Sequence, residues 1–212
     1  NFGTGGDTVT MASNRYTYAT DMSNIAAKLY SDWTGEFSTE IGVSYKDVKS
    51  DSVTNSNLGA VEATTFYRGP SFVFGTDRYR HANVSQTKNL ILSFDGTYLF
   101  DDHEIQFGLQ YEDLNLYNLF GDNSKGSWEF SSFQEFESQT IGQYSQFSYG
   151  NAYTNDVNDL AYDVSRSQLS LYVEDTYYLT DDVVLTAGIR YERLSSDDTP
   201  TLNTAFENTY GY

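Results

Sequence analysis

The sequence predicts an all-β fold that forms part of a transmembrane antiparallel β-barrel with long extracellular loops. Three observations lead to this class: apolar and polar residues alternate along three pairs of segments, a very short polar turn joins each pair, and aromatic residues flank the turns. A membrane-spanning β-strand needs about 9–11 residues whose side chains point alternately to lipid and to the lumen. We therefore expect residues 1–212 to be part of one barrel domain.

Composition agrees with this class. Tyr and Phe number 19 and 14, yet the mean hydropathy is -0.53, so apolar side chains are interleaved with polar ones. No window approaches the roughly 18 uninterrupted apolar residues of a transmembrane helix, which excludes a helical membrane protein.

The first hairpin is predicted at about residues 24–47, with its turn at Thr34 and Gly35. The lipid-facing set is Ile25, Ala27, Leu29 and Trp33, followed by Phe37, Thr39, Ile41, Val43 and Tyr45. The lumen-facing set is Lys28, Tyr30, Asp32, Glu36, Ser38, Glu40, Ser44 and Lys46. Ser31 breaks the lipid-facing pattern close to the turn, where water is near.

The second hairpin is predicted at about residues 88–114, with its turn at 101–103. Its lipid-facing set is Leu90, Leu92, Phe94, Gly96 and Tyr98, then Ile105, Phe107, Leu109 and Tyr111. Its lumen-facing set is Asn89, Ser93, Asp95, Thr97, Gln106, Gln110 and Glu112.

The third hairpin is predicted at about residues 166–194, around Asp181 and Asp182. Its lipid-facing set is Leu169, Leu171, Val173, Tyr177 and Leu179, then Val183, Leu185, Ala187, Ile189 and Tyr191. Its lumen-facing set is Gln168, Ser170, Tyr172, Glu174, Thr176, Thr186, Arg190 and Glu192. Asp175 interrupts the lipid-facing pattern near the turn.

Alternation alone also suits a soluble antiparallel sheet with one buried face. The placement of the aromatic residues favours the barrel. Those beside the short turns are Trp33, Tyr98, Phe100, Tyr177 and Tyr178, and those near the far strand ends are Tyr45, Tyr111 and Tyr191. From Val183 to Tyr191 the chain rises roughly 20 Å at about 3.4 Å per residue and a tilt of about 40°. This height matches a lipid-facing band between two aromatic girdles.

The connections alternate between short turns and long loops, at about residues 48–87, 115–165 and 195–212. Bacterial outer-membrane barrels place short turns in the periplasm and long loops outside. Gly69 and Pro70 interrupt the apolar stretch at 61–74, so we expect a loop structure there and no spanning pair. In the second loop, Ser131 or Ser132 is placed to cap a short helix that contains Phe133 and Phe136.

Loop aromatics such as Tyr144, Phe147, Tyr149 and Tyr153 allow two interpretations. They stack on a ligand, or they pack the loops together. Long loops usually carry function, but these residues do not identify a ligand.

Charge and residue types exclude several functions. The net charge of -18, from 12 Lys and Arg against 30 Asp and Glu, argues against a nucleic-acid partner. The chain has no Cys, which excludes disulfides and thiol chemistry within it. His81 and His103 have no catalytic motif around them and are interpreted as isolated polar residues.

Two further groups contain residue types that chemical sites use. Asn155, Asp156, Asn158, Asp159 and Asp163 offer oxygen ligands of the kind that calcium takes, but their spacing matches no EF-hand loop. Glu112 and Glu174 could in principle serve acid–base catalysis, but their place among Gln, Ser and Arg favours a role in a polar lumen wall. We predict no enzyme, no metal, no cofactor and no catalytic residue, and leave the ligand-binding residues unassigned.

Three stretches resemble TonB-dependent outer-membrane receptors, notably the Oar-like group. They are FGTDRYRHAN at 74–83, YNLFGD at 117–122 and LYVEDTYYLTDDVVLTAGIRYE at 171–192. The last stretch is general to the superfamily, and the first two point to the Oar-like group. The resemblance implies a 22-stranded barrel, of which this chain would supply about six spanning strands. We identify no plug domain and no TonB box in this sequence.

The resemblance also implies uptake of a scarce ligand across the bacterial outer membrane. The implied partners are outer-membrane lipid, the TonB complex acting through a plug domain, and an unknown extracellular ligand. Six strands are too few to close, since bacterial barrels begin at about eight, unless segments 15–19 and 61–74 add strands. The alternatives are a small OmpA-type structural or adhesive barrel and a soluble β-rich binding module.

Overall fold

The computed structural model describes residues 3–5, 8–65, 69–199 and 202–211. The strands are β1 (Gly3–Gly5), β2 (Thr8–Thr10), β3 (Tyr16–Asp32), β4 (Phe37–Thr54), β5 (Ala60–Thr64), β6 (Ser71–Phe74), β7 (Asn83–Phe100), β8 (His103–Phe120), β9 (Ser127–Phe130), β10 (Gln146–Ser148), β11 (Tyr162–Thr180) and β12 (Val183–Ser195). The helices are α1 (Phe133–Ser138) and α2 (Thr204–Tyr210), with 3-10 turns at Ala12–Asn14, Arg78–Arg80 and Val157–Leu160. In these described ranges no helix has both the length and the apolar character needed to cross a membrane.

The six long strands form one antiparallel sheet, here called the wall sheet, in the order β12-β11-β8-β7-β4-β3. Each hairpin lies beside the next, because β4 pairs with β7 and β8 pairs with β11. Within the described residues the sheet is open, with β3 and β12 as its edges. The all-β prediction is confirmed.

Each residue set predicted to face lipid lies on one face of the wall sheet, called the outer face. Its central row takes one residue from each strand in register: Leu29, Ile41, Phe94, Leu109, Leu171 and Tyr191. Ile25 and Ile189 on this face are 73% and 72% exposed. A contiguous exposed apolar face of this kind is typical of a surface that meets lipid or a partner.

The strands extend well beyond the predicted hairpins. The predicted ranges were 24–47, 88–114 and 166–194, whereas the paired strands cover 16–54, 83–120 and 162–195. The backbone ladder continues past the apolar rows through pairs such as Asp47 with Lys88 and Lys49 with Gln86. There the outward row is polar and the inward positions include Val48, Leu116 and Val164, so the lipid-facing alternation ends and no apolar outward set marks these strand ends. Segment 16–19 is the start of β3 and adds no separate strand.

The short turns are shaped by polar and aromatic residues. Asp101 has a φ of 49°, in the left-handed region that Asp tolerates better than most residues. Trp33 Nε1 donates a hydrogen bond of 2.9 Å to Thr39 Oγ1. Tyr98 of the second hairpin lies against Phe37 of the first hairpin, with ring centroids 6.4 Å apart. This packing forms the predicted aromatic group at the turn end.

The interpretation of His103 as an isolated turn residue is wrong. His103 begins β8, and its Nδ1 lies 2.8 Å from Asp175 Oδ2 on β11. The imidazole also stacks on Tyr177, with ring centroids 4.4 Å apart. These contacts give the Asp175 carboxylate, which lies on the outer face, a partner near the turn. The register of β11 and β12 shifts between Tyr178 and Thr180, so the irregularity lies beside the same end of the sheet.

On the inner face, Gly108 allows one side chain to cross a whole strand. Gly108 of β8 pairs with Tyr172 on one side and Asp95 on the other. The Tyr172 hydroxyl donates a hydrogen bond of 2.7 Å to Asp95 Oδ1. A Cβ at position 108 would lie 2.4 Å from Tyr172 Cε1 and 2.7 Å from the Phe94 carbonyl oxygen. The tyrosine ring therefore occupies the space that any larger residue would need.

The loops form a second six-stranded sheet, here called the loop sheet, in the order β1-β2-β6-β5-β9-β10. Its two parallel pairs, β2 with β6 and β5 with β9, join segments that are far apart in sequence. Strands β5 and β6 belong to this sheet and not to the wall, which confirms the prediction of a loop structure for the described part of 61–74.

Helix α1 confirms the predicted capped helix, and Ser132 is the cap. Ser132 Oγ accepts a hydrogen bond of 3.2 Å from the Glu135 backbone N–H. Phe133 and Phe136 pack on Phe72 and Phe74 of β6, with ring centroids 5.6 and 5.4 Å apart. Because Ala63 beside them is 0% exposed, this aromatic cluster is the core of the loop sheet.

We predict that Leu109→Arg destabilises the full-length protein in phospholipid vesicles by about 2–4 kcal/mol, because the arginine would face the middle of the apolar band. Gln110→Arg is the matched control, since Gln110 is the next residue on the same strand and faces inward. Urea unfolding of both variants measures the difference. Equal losses would contradict the assignment of faces.

We also predict that Gly108→Ala costs about 1–3 kcal/mol, because the added methyl group meets backbone and the Tyr172 ring together. Gly35→Ala in the first turn is the control, since nothing lies within 4 Å of a Cβ built there. The same urea titration tests both variants, and an unchanged midpoint for Gly108→Ala would show that the ring does not cover this glycine.

Candidate functional site

The inner face of the wall sheet carries a set of polar contacts within the wall. Lys28 pairs with Glu40 across β3 and β4. Arg190 Nε donates to Glu192 Oε1 over 2.8 Å. With Tyr172 and Asp95 these groups form a charged surface whose members already bind one another, as expected of a polar lumen wall.

The two carboxylates considered for acid–base chemistry do not meet. Glu112 pairs in register with Gln168, and its Oε1 accepts a hydrogen bond of 2.9 Å from Asn89 Nδ2. Glu174 lies six residues further along β11, about 20 Å away along the strand. No paired acid and base arises from these residues.

His81 joins the first long loop to the second, so its interpretation as an isolated residue is also wrong. His81 is 7% exposed, and its Nδ1 accepts a hydrogen bond of 3.0 Å from the Lys125 backbone N–H. Burial lowers the pKa of this imidazole, and the charge of Lys125 acts in the same direction, while the backbone of Thr76 and the carboxylates of Asp77 and Asp122 oppose the shift. The neutral ring with its proton on Nε2 is therefore the form that the loops accommodate.

Glu135 of α1 organises the turn that follows the helix. Its Oε2 accepts hydrogen bonds from Ser145 Oγ and from Ser131 Oγ, the latter over 2.7 Å. These hydroxyl donors hold the pKa of the Glu135 carboxyl below its ordinary value. The carboxylate has a structural role in this position.

Arginine side chains link the loop sheet to the wall sheet. The Arg80 guanidinium lies 4.7 Å from the ring centroid of Tyr16 and 5.7 Å from that of Tyr18, both on β3. Arg78 forms an ion pair of 3.7 Å with Glu129 on β9. Cation–π contacts of this type contribute about 0.5–1 kcal/mol at exposed sites.

Two of the four loop aromatics pack within the loops. Phe147 packs on Trp128 with ring centroids 5.0 Å apart, and the Tyr149 hydroxyl donates to Asn155 Oδ1 over 2.6 Å. These two residues hold the loops together. Tyr144 and Tyr153 are 58% and 56% exposed.

The acidic loop uses many of its oxygen atoms internally. Asp156 Oδ1 accepts from the Asn158 backbone N–H over 3.0 Å, and Asp159 accepts from Thr154 Oγ1. In the part of the chain that the structure describes, no three Asp, Glu, His or Cys residues are grouped to hold a metal ion. These carboxylates cap local turns.

The loop 151–161 covers a cavity of about 740 Å³ that the sequence did not indicate. Its lining includes Tyr117 and Asp163, which pair across β8 and β11, together with the exposed Tyr153. No local pattern marks these residues, because they are brought together by the strand register and by the fold of the loop.

We predict that the loop sheet loosens as the pH falls below about 6.5, because a protonated His81 Nδ1 can no longer accept from Lys125. The contribution of neutral His81 to the stability of the loop sheet is fully present above the ordinary histidine pKa. It is lost as the pH falls through the lowered pKa that His81 has in the folded state. Hydrogen exchange of β5 and β9 at about pH 7.5 and about pH 5.5 measures it. His81→Gln keeps an acceptor that does not titrate, so it should remove this pH dependence; a dependence that persists would exclude His81 as its source.

Comparison with known proteins adds an independent finding. The family model described as outer membrane beta barrel domain matches residues 4–209. Searches of curated proteins and of solved structures returned no match. The family match covers nearly the whole chain and agrees with the open antiparallel wall and its apolar outer face. The soluble binding module is therefore not retained, and the chain belongs to the outer membrane beta barrel domain family and lies in the bacterial outer membrane.

Proposed function

We propose that this chain is part of the barrel of a TonB-dependent receptor of the Oar-like group, which takes up a scarce extracellular ligand. The supporting observation is that the two stretches resembling this group, 74–83 and 117–122, lie together. Gly121 N–H donates to the Ala82 carbonyl oxygen over 2.8 Å, and Asn123 N–H donates to the Arg78 carbonyl oxygen over 3.0 Å. The two stretches thus form one junction between the wall sheet and the loop sheet.

The ordered loops suit the capture of a ligand. Holding long loops in one arrangement costs conformational entropy, which here is offset by the loop sheet, the aromatic cluster and the His81 contact. This order favours ligand binding, because loops that are already fixed lose less conformational entropy when a ligand binds. We infer that the loop sheet contributes to the extracellular mouth of the receptor.

In this proposal the open edges β3 and β12 pair with further strands of a larger, 22-stranded barrel. The inner face then faces a plug domain that engages the TonB complex, and the outer face contacts outer-membrane lipid. The protein binds and transports, with no catalytic step and no nucleic-acid partner. Its extracellular ligand is not identified by any contact described above.

The second candidate is a small closed barrel of OmpA type with a structural or adhesive role. The family match is equally compatible with it, because the family is defined by the barrel and not by uptake. The two candidates differ in the size of the whole protein and in whether TonB binds it.

We predict that the intact protein isolated from the outer membrane is several times heavier than the 24.0 kDa of this chain. It should also bind the purified periplasmic domain of TonB in a pull-down, and more strongly when its extracellular ligand is bound. A full-length mass near 24 kDa, or a heavier protein that does not bind TonB, would contradict the proposal and favour a structural barrel.

A further inference from the structure

Above the apolar band, the alternation of side chains between the two faces of the wall sheet continues unbroken, so the outer face extends to the strand ends. The registers of β4 with β7, β7 with β8 and β8 with β11 have no shift between the band and the strand ends. The first polar row above the band is Asp47, Lys88, Asn115 and Ser165, and the next is Lys49, Gln86, Tyr117 and Asp163. These residues face outward, at the level of lipid headgroups and beyond.

Two lysines in these rows have charge available for a ligand. Lys88 and Lys49 are exposed, and neither forms a salt bridge with any residue that the structure describes. Asp47 lies opposite Lys88 in the register and accepts a hydrogen bond of 2.9 Å from Gln86 Nε2, and Asp21 lies opposite Lys49. Lys88 lines a shallow cavity of about 240 Å³ with Gln86, Asn115, Tyr117 and Asp163.

The cavity of about 740 Å³ lies directly above, because Tyr117 and Asp163 line both. The loop that closes it packs on the outer face. A Cβ at Gly121 would lie 2.9 Å from Val157 Cγ2, and outer-face Leu119 is only 7% exposed. Tyr117 is about 20 Å along the strand from Tyr111 at the top of the apolar band.

The lining of the larger cavity suits a ligand rich in hydroxyl groups. Tyr117 and Tyr153 offer aromatic faces, Asn151 offers an amide, and Asp159 and Asp163 offer carboxylates. Hydroxyl groups donate to carboxylates and exchange hydrogen bonds with amides, while the C–H face of a sugar ring packs on tyrosine. None of the described residues that line this cavity is Lys or Arg, so a free anion would not be favoured there.

We propose that the outer face of β7, β8 and β11 binds one phosphorylated, saccharide-bearing lipid of the outer leaflet. Its acyl chains lie on the apolar rows around Leu90 and Leu92, a phosphate group lies at Lys88, and its sugars occupy the cavity at Tyr117 and Tyr153. The three kinds of surface follow one another along the strands in the order in which acyl chains, phosphate and sugars occur in such a lipid. This site faces away from the lumen and does not depend on ligand uptake.

The test uses native mass spectrometry of the full-length protein titrated with three lipids. They are a lipid A extended by neutral hexose sugars, the same lipid A without those sugars, and phosphatidylglycerol. The added sugars carry no acidic group, because the carboxylates of Asp159 and Asp163 would repel one. We expect the lipid A with hexoses to bind best. Lys88→Gln should weaken binding of both lipid A species about fivefold, because one lysine near a headgroup contributes roughly 1 kcal/mol. Tyr153→Ala should weaken only the lipid A with hexoses, by about fivefold.

Matched controls separate this site from general lipid contact. Lys46→Gln removes an exposed inward-facing lysine from the strand that carries Lys49, and Tyr162→Ala removes an exposed inward-facing tyrosine from β11. Both should leave the three affinities unchanged. Equal binding of all three lipids, equal losses in the controls, or binding of the free hexose oligosaccharide as tight as that of the complete lipid would each overturn the proposal.

Discussion

The continuous register of the wall sheet is the constraint on which the rest of the structure depends. In lipid no water is available to bind backbone N–H and C=O groups, so neighbouring strands must satisfy them. An unshifted ladder with a two-residue period also fixes the face of every side chain. Within the described wall the register shifts between Tyr178 and Thr180, beside a short turn, where the shift leaves the apolar band intact.

The same register separates the chemistry of the two faces. Outward residues form apolar rows in the band and polar rows above it, so one continuous surface changes character at the membrane boundary. Inward residues form contacts between strands, and the tyrosine that crosses Gly108 ties β7 to β11. The ends of the long strands in turn set the positions of the loops, which join through β2 with β6 and β5 with β9.

Local signals in the sequence predicted the hairpin faces, the short turns and helix α1, because periodicity, turn residues and a capping serine act within a few residues. The upper strand segments could not be predicted, since outward Asp47 and Lys49 are polar while inward Val48 is apolar, which reverses the lipid-facing alternation. The loop sheet, the His81 contact and the cavity at Tyr117 depend on residues about 40 or more positions apart. For Glu112 and Glu174 the sequence predicted the correct face, but it did not predict that about 20 Å of strand separates them.

Fluorescence quenching by brominated lipids tests the central claim most directly. Single cysteines introduced one at a time at positions 104–107 and 109–111 of β8 in the full-length protein, in a background without other cysteines, carry a fluorescent label in vesicles of brominated phosphatidylcholine. Position 108 is left as glycine because a larger residue would meet the Tyr172 ring. We predict strong quenching at Ile105, Phe107, Leu109 and Tyr111, and weak quenching at Glu104, Gln106 and Gln110. Quenching that does not alternate with a two-residue period, or that alternates with the opposite parity, would contradict this claim.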